Sequence, residues 1–431
     1  MRISTGMIYE LGVSSMQKRQ QDQVQLQQQL STGLRINTPA DDPIAASSVL
    51  NIKQSQTINQ QYKVNAEAAK APLSLEEGAL SDATTILQNV RALAVNAGNG
   101  SLTNADRANI ATELEGNYQE LLGIANRGDG NGQFLFSGYK GATQPFSETS
   151  PGVVAYNGDA GQRLAQIGPA RMIPVNDSGA DVFRNIRTGN GSFNTTAPAS
   201  NTGGGVISAA TLTDPAQWNS AANAKDFSIK FNVSGGVTTY DIVDNVNNVS
   251  MLTGLAPGAG PYLRTYTAGT AIPLSTQSPP DTNATPFDFG ASVAISGAPA
   301  SGDSFSVKAS TNQDMFTTLN DLITSLRSGS TATPAAAAQL QNKLTSSLNE
   351  LDNALNNVLN VRASVGARLN EIDSAQVTAE TLDSQYAQTV SGLQDLDYTK
   401  AVSDLGQQQV YLQAAQQSFL KITRLNLFEM L

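Results

Sequence analysis

The amino-acid sequence predicts a multidomain α+β protein: helices from both chain ends form a long antiparallel rod or coiled-coil bundle that carries an inserted, mainly β domain. Three observations predict this fold: a heptad repeat near the C-terminus, a similar helical pattern in the first third of the chain, and a middle segment rich in Gly, Ser and Thr. We expect a terminal coiled-coil domain (1–43 with 396–431), a helical rod domain (44–133 with 311–395) and a β-rich outer domain (134–310).

The heptad repeat places an apolar or aromatic residue at every seventh position of one long stretch. Its members are Leu344, Leu351, Val358, Val365, Ile372, Ala379, Tyr386 and Leu393. A second seam, offset by four, holds Leu348, Leu355 and Leu369 but is interrupted by Arg362 and Gln376. A period of seven over this length predicts a long helix that lies against a partner helix, although a long helix in a conventional bundle is the alternative.

The terminal helices are expected to pair with each other. The heptad period continues through Tyr398, Leu405, Leu412 and Phe419, with Ala401, Gln408, Ala415 and Ile422 in a weaker companion seam. Residues 7–34 form a glutamine-rich helix, and a helix this polar is stabilised mainly by packing against another element; mere low complexity is the alternative. The predicted assembly interface comprises Leu30, Leu34, Ile36, Leu405, Leu412, Phe419 and Ile422.

A turn at residues 36–43 (INTPADDP) separates this first helix from the next. We expect Gly33 to end the first helix, and Asp41 or Asp42 to cap the second, with Pro43 at its first position.

The second helical run extends from Ile44 to about Ala97. Its heptad series is apolar except at Asn59, and Pro72 is expected to kink or divide the helix. Thr103 or Asn104 can cap a further helix.

The middle of the chain carries short runs of alternating residues that are typical of strands. FSIKFNV (227–233) and VTTYDIV (237–243) predict one hairpin, and SVAIS (292–296) with SFSVKAS (304–310) predicts another. Helices are expected to return at Met315 and to open the long heptad stretch at Pro334.

Composition excludes several classes of function. The chain has 26 Lys and Arg against 36 Asp and Glu, and this net charge of −10 disfavours nucleic acid or an anionic membrane as a partner. It has no His and no Cys, which removes the commonest general base, the commonest metal ligand and any cysteine nucleophile. The N-terminal sequence has no apolar run of signal-peptide length, and no apolar stretch of the sequence is long enough to span a bilayer.

The remaining candidates for chemistry are weak. GDGNG (128–132) lacks the strand–loop–helix context of a phosphate loop and the acidic ligands of a calcium loop, so it predicts a tight turn. Asp281, Asp288 and Asp303 could form a glycosidase-like carboxylate pair, but their spacing suits ordinary turn residues equally well. We expect no catalytic, cofactor-binding or metal-binding residues, and no enzyme.

Several motifs resemble the bacterial flagellin family. STGLRINTPADDP (31–43) is similar to the turn between the two N-terminal helices of that family, and VGARLNEIDSA (365–375) and the tail from residue 397 are similar to its C-terminal helices. MRIST (1–5), DDP (41–43), FLFSGYKG (134–141) and YNGD (156–159) resemble a junction-type member more than filament flagellin. The similarity covers about 1–160 and 310–431.

The resemblance implies a structural role in the flagellum, outside the cell, at the junction between hook and filament. It implies assembly with copies of itself, with another hook-associated junction protein, with flagellin and with an export chaperone. It also implies export through the flagellar type III channel without signal cleavage. Filament flagellin is one alternative; a stalked adhesin or enzyme, with its site in the β insertion, is another.

Overall fold

Helices occupy both ends of the part of the chain that the structure describes, as the heptad pattern predicts. A computed structural model of the protein describes the backbone of residues 5–428 and the side chains of residues 6, 7 and 9–421. Its helices are α1 (Thr5–Thr32), α2 (Pro43–Ala97), α3 (Asn104–Ala125), α4 (Pro215–Trp218), α5 (Met315–Ser328), α6 (Pro334–Gln394) and α7 (Tyr398–Phe428). The predicted fold class, long terminal helices with an inserted and mainly β region, is confirmed.

The strands lie between α3 and α5. They are β1 (Phe146–Ser150), β2 (Val153–Tyr156), β3 (Leu164–Gly168), β4 (Arg171–Pro174), β5 (Ile186–Arg187), β6 (Phe193–Thr196), β7 (Val206–Ile207), β8 (Thr211–Leu212), β9 (Asp226–Ser234), β10 (Val237–Asp244), β11 (Val249–Ser250), β12 (Arg264–Thr265), β13 (Ala271–Ser275), β14 (Asp288–Ser296), β15 (Ser304–Ala309) and β16 (Asn312–Gln313). A π-helical turn spans Ala180–Arg184.

Two sheets form most of the β region. One has the strand order β11-β10-β9-β15-β6, with β12 paired to β10, and the other has the order β13-β14-β7, with β8 paired to β14. The two sheets share one apolar core, which includes Phe227 and Phe231 of the first sheet, Val293 and Ile295 of the second, and Trp218 of α4.

The two predicted hairpins have different outcomes. β9 and β10 pair antiparallel, with Phe231 opposite Tyr240, so the first hairpin is confirmed. The second is wrong: β14 pairs with β13, β7 and β8, whereas β15 pairs with β9 and β6. Because an alternating pattern marks a strand without naming its partner, adjacent runs can enter different sheets, as these do.

Side-chain caps set the helix ends close to the predicted positions. Asp42 accepts a hydrogen bond from the Ala45 N–H (3.0 Å), and α2 begins at Pro43. Thr103 caps α3 in a capping box with Asp106.

The prediction that Pro72 divides α2 is wrong, whereas the alternative, a kink at Pro72, stays a prediction. The helix runs without a break from Pro43 to Ala97, with Pro72 inside it. Ala69 and Leu73 on either side are buried, and packing of such a face outweighs the roughly 3 kcal/mol that an interior proline costs a helix.

The main seam of α6 is buried over most of its length: Leu344, Leu351, Val358, Val365, Ile372 and Ala379 are all buried. Tyr386 and Leu393 at its end, and Leu348, Leu355 and Leu369 of the second seam, are half-buried.

The polar residues that interrupt these seams each form a hydrogen bond with a polar partner on the other helix. Arg362 Nε donates to Glu77 Oε1 (2.6 Å), and Gln376 Nε2 donates to Glu67 Oε2 (2.9 Å). Asn59 is buried and donates to the Ala379 carbonyl (2.7 Å), which explains how an amide occupies an apolar series.

The chain divides into two compact units. One comprises Met1–Glu67, Gln166–Arg171 and Asp373–Leu431, and the other comprises Ala68–Ala165 and Met172–Ile372. The first contains α1 and α7, which pack against each other, and the second contains both main sheets and the packed pair α3 and α5. The predicted three-domain division stays a prediction.

Candidate assembly interface

Helices α1 and α7 form an antiparallel pair, and the predicted interface residues lie along it. Leu30, Leu34, Leu405, Leu412 and Phe419 are half-buried, and Ile36, in the turn after α1, is buried. The side chain of Ile422 lies outside the described residues. The two seams of α7 therefore face α1 through positions such as Leu405, Leu412 and the buried Ala401. Assignment of these residues to assembly stays a proposal.

Backbone hydrogen bonds join the two segments at one end of this helix pair. Leu34 and Asp395 form an isolated antiparallel bridge. The Arg35 N–H donates to the Gln394 carbonyl (2.7 Å), and the Leu396 N–H donates to the Gly33 carbonyl (3.0 Å). These hydrogen bonds hold the start of α7 beside the end of α1.

The turn between α1 and α2 is built around one glycine and two aspartates. Gly33 has a φ of +72°, in the left-handed region that favours glycine, and it ends α1 as predicted. Asp41 Oδ2 accepts from the N–H groups of Asn37 (3.0 Å) and Thr38 (2.8 Å). These hydrogen bonds lower the pKa of Asp41, and the bond from the Thr38 N–H has the largest effect. The division of roles is thus resolved: Asp41 holds the turn and Asp42 caps α2.

Two aromatic side chains of α7 lie over glycines. A Cβ atom on Gly12 would lie 3.0 Å from the ring of Phe419, and one on Gly33 would lie 2.8 Å from Tyr398 Oη. Tyr9 also packs on Phe419, with ring centroids 5.1 Å apart. The glycines thus admit large side chains at both ends of the pair.

A polar layer, which the apolar heptad series did not predict, crosses the middle of the pair. Arg19 Nη1 donates to Gln408 Oε1 (3.3 Å), and the Arg19 guanidinium carbon lies 5.1 Å from the centroid of the Tyr411 ring. A signal was present, because Arg19 occupies the heptad series of Gly12, Leu26 and Gly33.

The outward faces of both helices keep apolar side chains in solvent. Leu11 and Val24 on α1 are 63% and 59% exposed, and Val402 and Val410 on α7 are 58% and 62% exposed. A single exposed apolar residue is ordinary, but several on one helix pair mark a surface that can contact another molecule.

The other sequence candidates have structural roles. Asp129 of the GDGNG segment accepts from the N–H groups of Asn131 (2.8 Å) and Gln133 (3.1 Å), which makes the predicted tight turn. Asp281 pairs with Arg264, and Asp303 accepts from backbone N–H groups. In the described part of the chain, no group of three or more acidic side chains could hold a metal ion.

Comparison with known proteins places these features in a family. The N-terminal helical region of bacterial flagellin matches residues 3–141, and its C-terminal helical region matches residues 348–431. Flagellar hook-associated protein 3 of Salmonella typhimurium is 40% identical over 186 residues, which are 43% of this chain. That alignment spans 58% of the length of the Salmonella protein.

Solved structures extend the similarity over most of the chain. FlgL of Xanthomonas campestris superposes with a TM-score of 0.66 and 31% identity, over 79% of this chain and 99% of that one. Hook-associated protein-3 of Legionella pneumophila gives a TM-score of 0.69 and 29% identity, over 80% and 98% of the two chains. With its flagellin-type terminal regions and this coverage, the chain belongs to the flagellar hook-associated protein 3 (FlgL) family.

Proposed function

We propose that this chain is a structural junction protein of the bacterial flagellum, which connects hook to filament by polymerising through α1 and α7. The observation that carries the proposal is the α1–α7 pair, whose seam is closed within one chain while apolar side chains stay exposed on its outward faces. Family membership supports the same role, since a FlgL structure from Legionella pneumophila, 29% identical to this chain, is described as a flagellar junction protein.

The pair has two kinds of surface with different roles. Leu30, Leu34, Leu405, Leu412 and Phe419 hold α1 against α7, with Ile36 at the turn and Ile422 as the next seam position.

The outward apolar residues contact neighbouring copies. Leu11, Val24, Val402 and Val410 have the exposure that such contacts need. The exposed face around Val24 carries uncharged glutamines, Gln17, Gln21 and Gln28 among them. Amide side chains can be buried between copies at lower cost than charged ones, because they can pair with one another by hydrogen bonds.

The role we propose is structural and not enzymatic. Its partners are copies of the same chain, another hook-associated junction protein, flagellin and an export chaperone. The site of action is outside the cell at the hook–filament junction, reached by export without a cleaved signal peptide. No helix among the described residues is long and apolar enough to cross a membrane.

Filament flagellin is the second candidate, because both family models describe flagellin. Deletion of the gene in its source bacterium, followed by electron microscopy and assay of the medium, separates the two. A junction protein leaves bare hooks and sheds flagellin into the medium, whereas loss of the filament subunit leaves bare hooks and little flagellin. Filaments of normal length on the deletion strain contradict both, and the wild-type gene returned in trans is the control.

A further inference from the structure

Arg19 places a cation in the seam between α1 and α7. Seven residues to either side of it, the same series holds Gly12 and Leu26. The contacts of Arg19 within the described chain are to neutral groups: the amide oxygen of Gln408 at 3.3 Å and the face of the Tyr411 ring at 5.1 Å.

The α7 side of this layer is arranged to receive a guanidinium. Gln407 Nε2 donates to Tyr411 Oη (2.6 Å), which orients the ring that Arg19 covers. An amide oxygen and an aromatic face are both suited to the planar, weakly hydrated guanidinium, so α7 offers Arg19 favourable partners that carry no charge.

A second copy of α1 is the obvious competing partner for α1. Polymerisation would bring many copies together, and the neighbouring seam positions Met16, Gln23 and Leu26 could pack against themselves in a parallel α1–α1 pair. In that pair each seam residue faces its own copy, so Arg19 would face Arg19, and like charges across a seam repel. Gly12 would also face Gly12 and leave unfilled the space that Phe419 occupies.

We propose that Arg19 is a partner-selecting residue: it favours the pairing of α1 with α7 and prevents α1 helices of two copies from pairing. A single polar seam residue is a known means of choosing a coiled-coil partner at some cost in stability. The inference rests on the proposed polymerisation for its purpose, but it concerns contacts that a purified chain can report alone.

The test uses the absence of cysteine from the chain. A single Leu26→Cys is introduced beside native Arg19, beside Arg19→Leu and beside Arg19→Lys, and interchain disulfide is measured after mild oxidation by non-reducing electrophoresis. We expect little dimer with native Arg19 or with Arg19→Lys, because both side chains carry a positive charge. We expect about tenfold more with Arg19→Leu, the ratio that a preference of about 1.4 kcal/mol produces.

A second pair of variants reports the native partner. Leu26 lies two heptads after Gly12, and Leu405 lies two heptads before Phe419, whose ring lies over Gly12. Because α1 and α7 are antiparallel, we expect Leu26 to lie opposite Leu405. The double variant Leu26→Cys with Leu405→Cys should therefore form an intrachain disulfide when Arg19 is present. Trp218 fluorescence verifies that the β region of each variant is folded, and far-UV circular dichroism verifies that its helices are formed.

Equal interchain dimer with Arg19 and Arg19→Leu overturns the proposal. Equally high dimer with Arg19→Lys and Arg19→Leu also overturns it, because repulsion of like charge would then not be the cause. Neither result bears on the junction role, which the deletion strain tests separately.

Discussion

The buried ion pair between Arg264 and Asp281 gives the sharpest stability prediction. Its side chains are 2% and 0% exposed, and Arg264 Nε and Nη2 donate to the two carboxylate oxygens at 2.9 and 2.5 Å. Arg264 also donates to the carbonyls of Pro273 (3.3 Å) and Ser275 (2.6 Å), and Asp281 accepts from the Gln277 N–H (2.8 Å). The ion pair and its hydrogen bonds therefore join three segments of the β region, and loss of either charged side chain leaves the other buried without its counter-charge.

Asp281→Ala leaves a guanidinium buried without its counter-charge, and we expect it to lower the free energy of unfolding of the β region by about 3–5 kcal/mol. The control has the same chemistry on the surface. Arg91 and Asp352 also meet at 2.5 Å, but their side chains are 46% and 43% exposed, so Asp352→Ala should cost no more than about 1 kcal/mol.

Urea unfolding measures this difference, followed by Trp218 fluorescence for Asp281→Ala and by far-UV circular dichroism of the helices for Asp352→Ala, because Arg91 and Asp352 lie on α2 and α6. Trp218 is the only tryptophan of the chain and lies in the core between the two sheets, so its emission reports the β region alone. Replacing both partners together, Arg264→Met with Asp281→Leu, should recover much of the loss because no buried charge is left unpaired. Equal midpoint shifts for Asp281→Ala and Asp352→Ala would refute the reasoning.

Two further predictions concern α2. Burial, and next the charge of Asp177, raise the pKa of Glu76 well above its ordinary value, so Glu76 in the folded state holds a proton that the unfolded state releases. The contribution of Glu76 to stability should therefore fall as pH rises from about 4.5 through the raised pKa, and Glu76→Gln should remove this contribution from the pH dependence of thermal melts. The same pH dependence in wild type and Glu76→Gln would contradict this assignment. Leu80→Ala removes a fully buried side chain and should cost about 2–5 kcal/mol in chemical unfolding, whereas Leu75→Ala, at a position that is 42% exposed, should cost far less; similar losses would show that the seam is not packed as described.

Helices were the most predictable part of the fold, because their seams repeat with one period over many turns. Leu344 and Ile372 are buried where the repeat places them. Strand partners were less predictable: β14 and β15 are adjacent in sequence but enter different sheets, and sheet topology depends on contacts that no local pattern contains. Helix boundaries depend on tertiary contacts in the same way: proline disfavours a helix interior, but α2 continues through Pro72 because the neighbouring residues Ala69 and Leu73 are buried.

The candidate interface was predictable in its apolar positions only. Leu405 and Leu412 follow from the heptad, and both are half-buried on α7. Polar seam residues were harder to interpret from sequence. Asn59 interrupts an apolar series, and only the structure shows its hydrogen bond to the Ala379 carbonyl. Arg19 likewise has a polar partner, Gln408, that the sequence does not identify. A polar residue at a heptad position is therefore informative only with its partner.

The central claim, that α1 and α7 form the assembly element, is tested most directly by Leu412→Asp in the source bacterium. A carboxylate at this half-buried seam position should separate the helix pair, while the β region, measured by Trp218 fluorescence, keeps its stability. Leu255→Asp makes the same change at a site that is 69% exposed in the β region and serves as the matched control. We predict that Leu412→Asp cells make the protein but carry bare hooks and shed flagellin, while Leu255→Asp cells carry normal filaments. Full-length filaments on the Leu412→Asp cells would contradict the account.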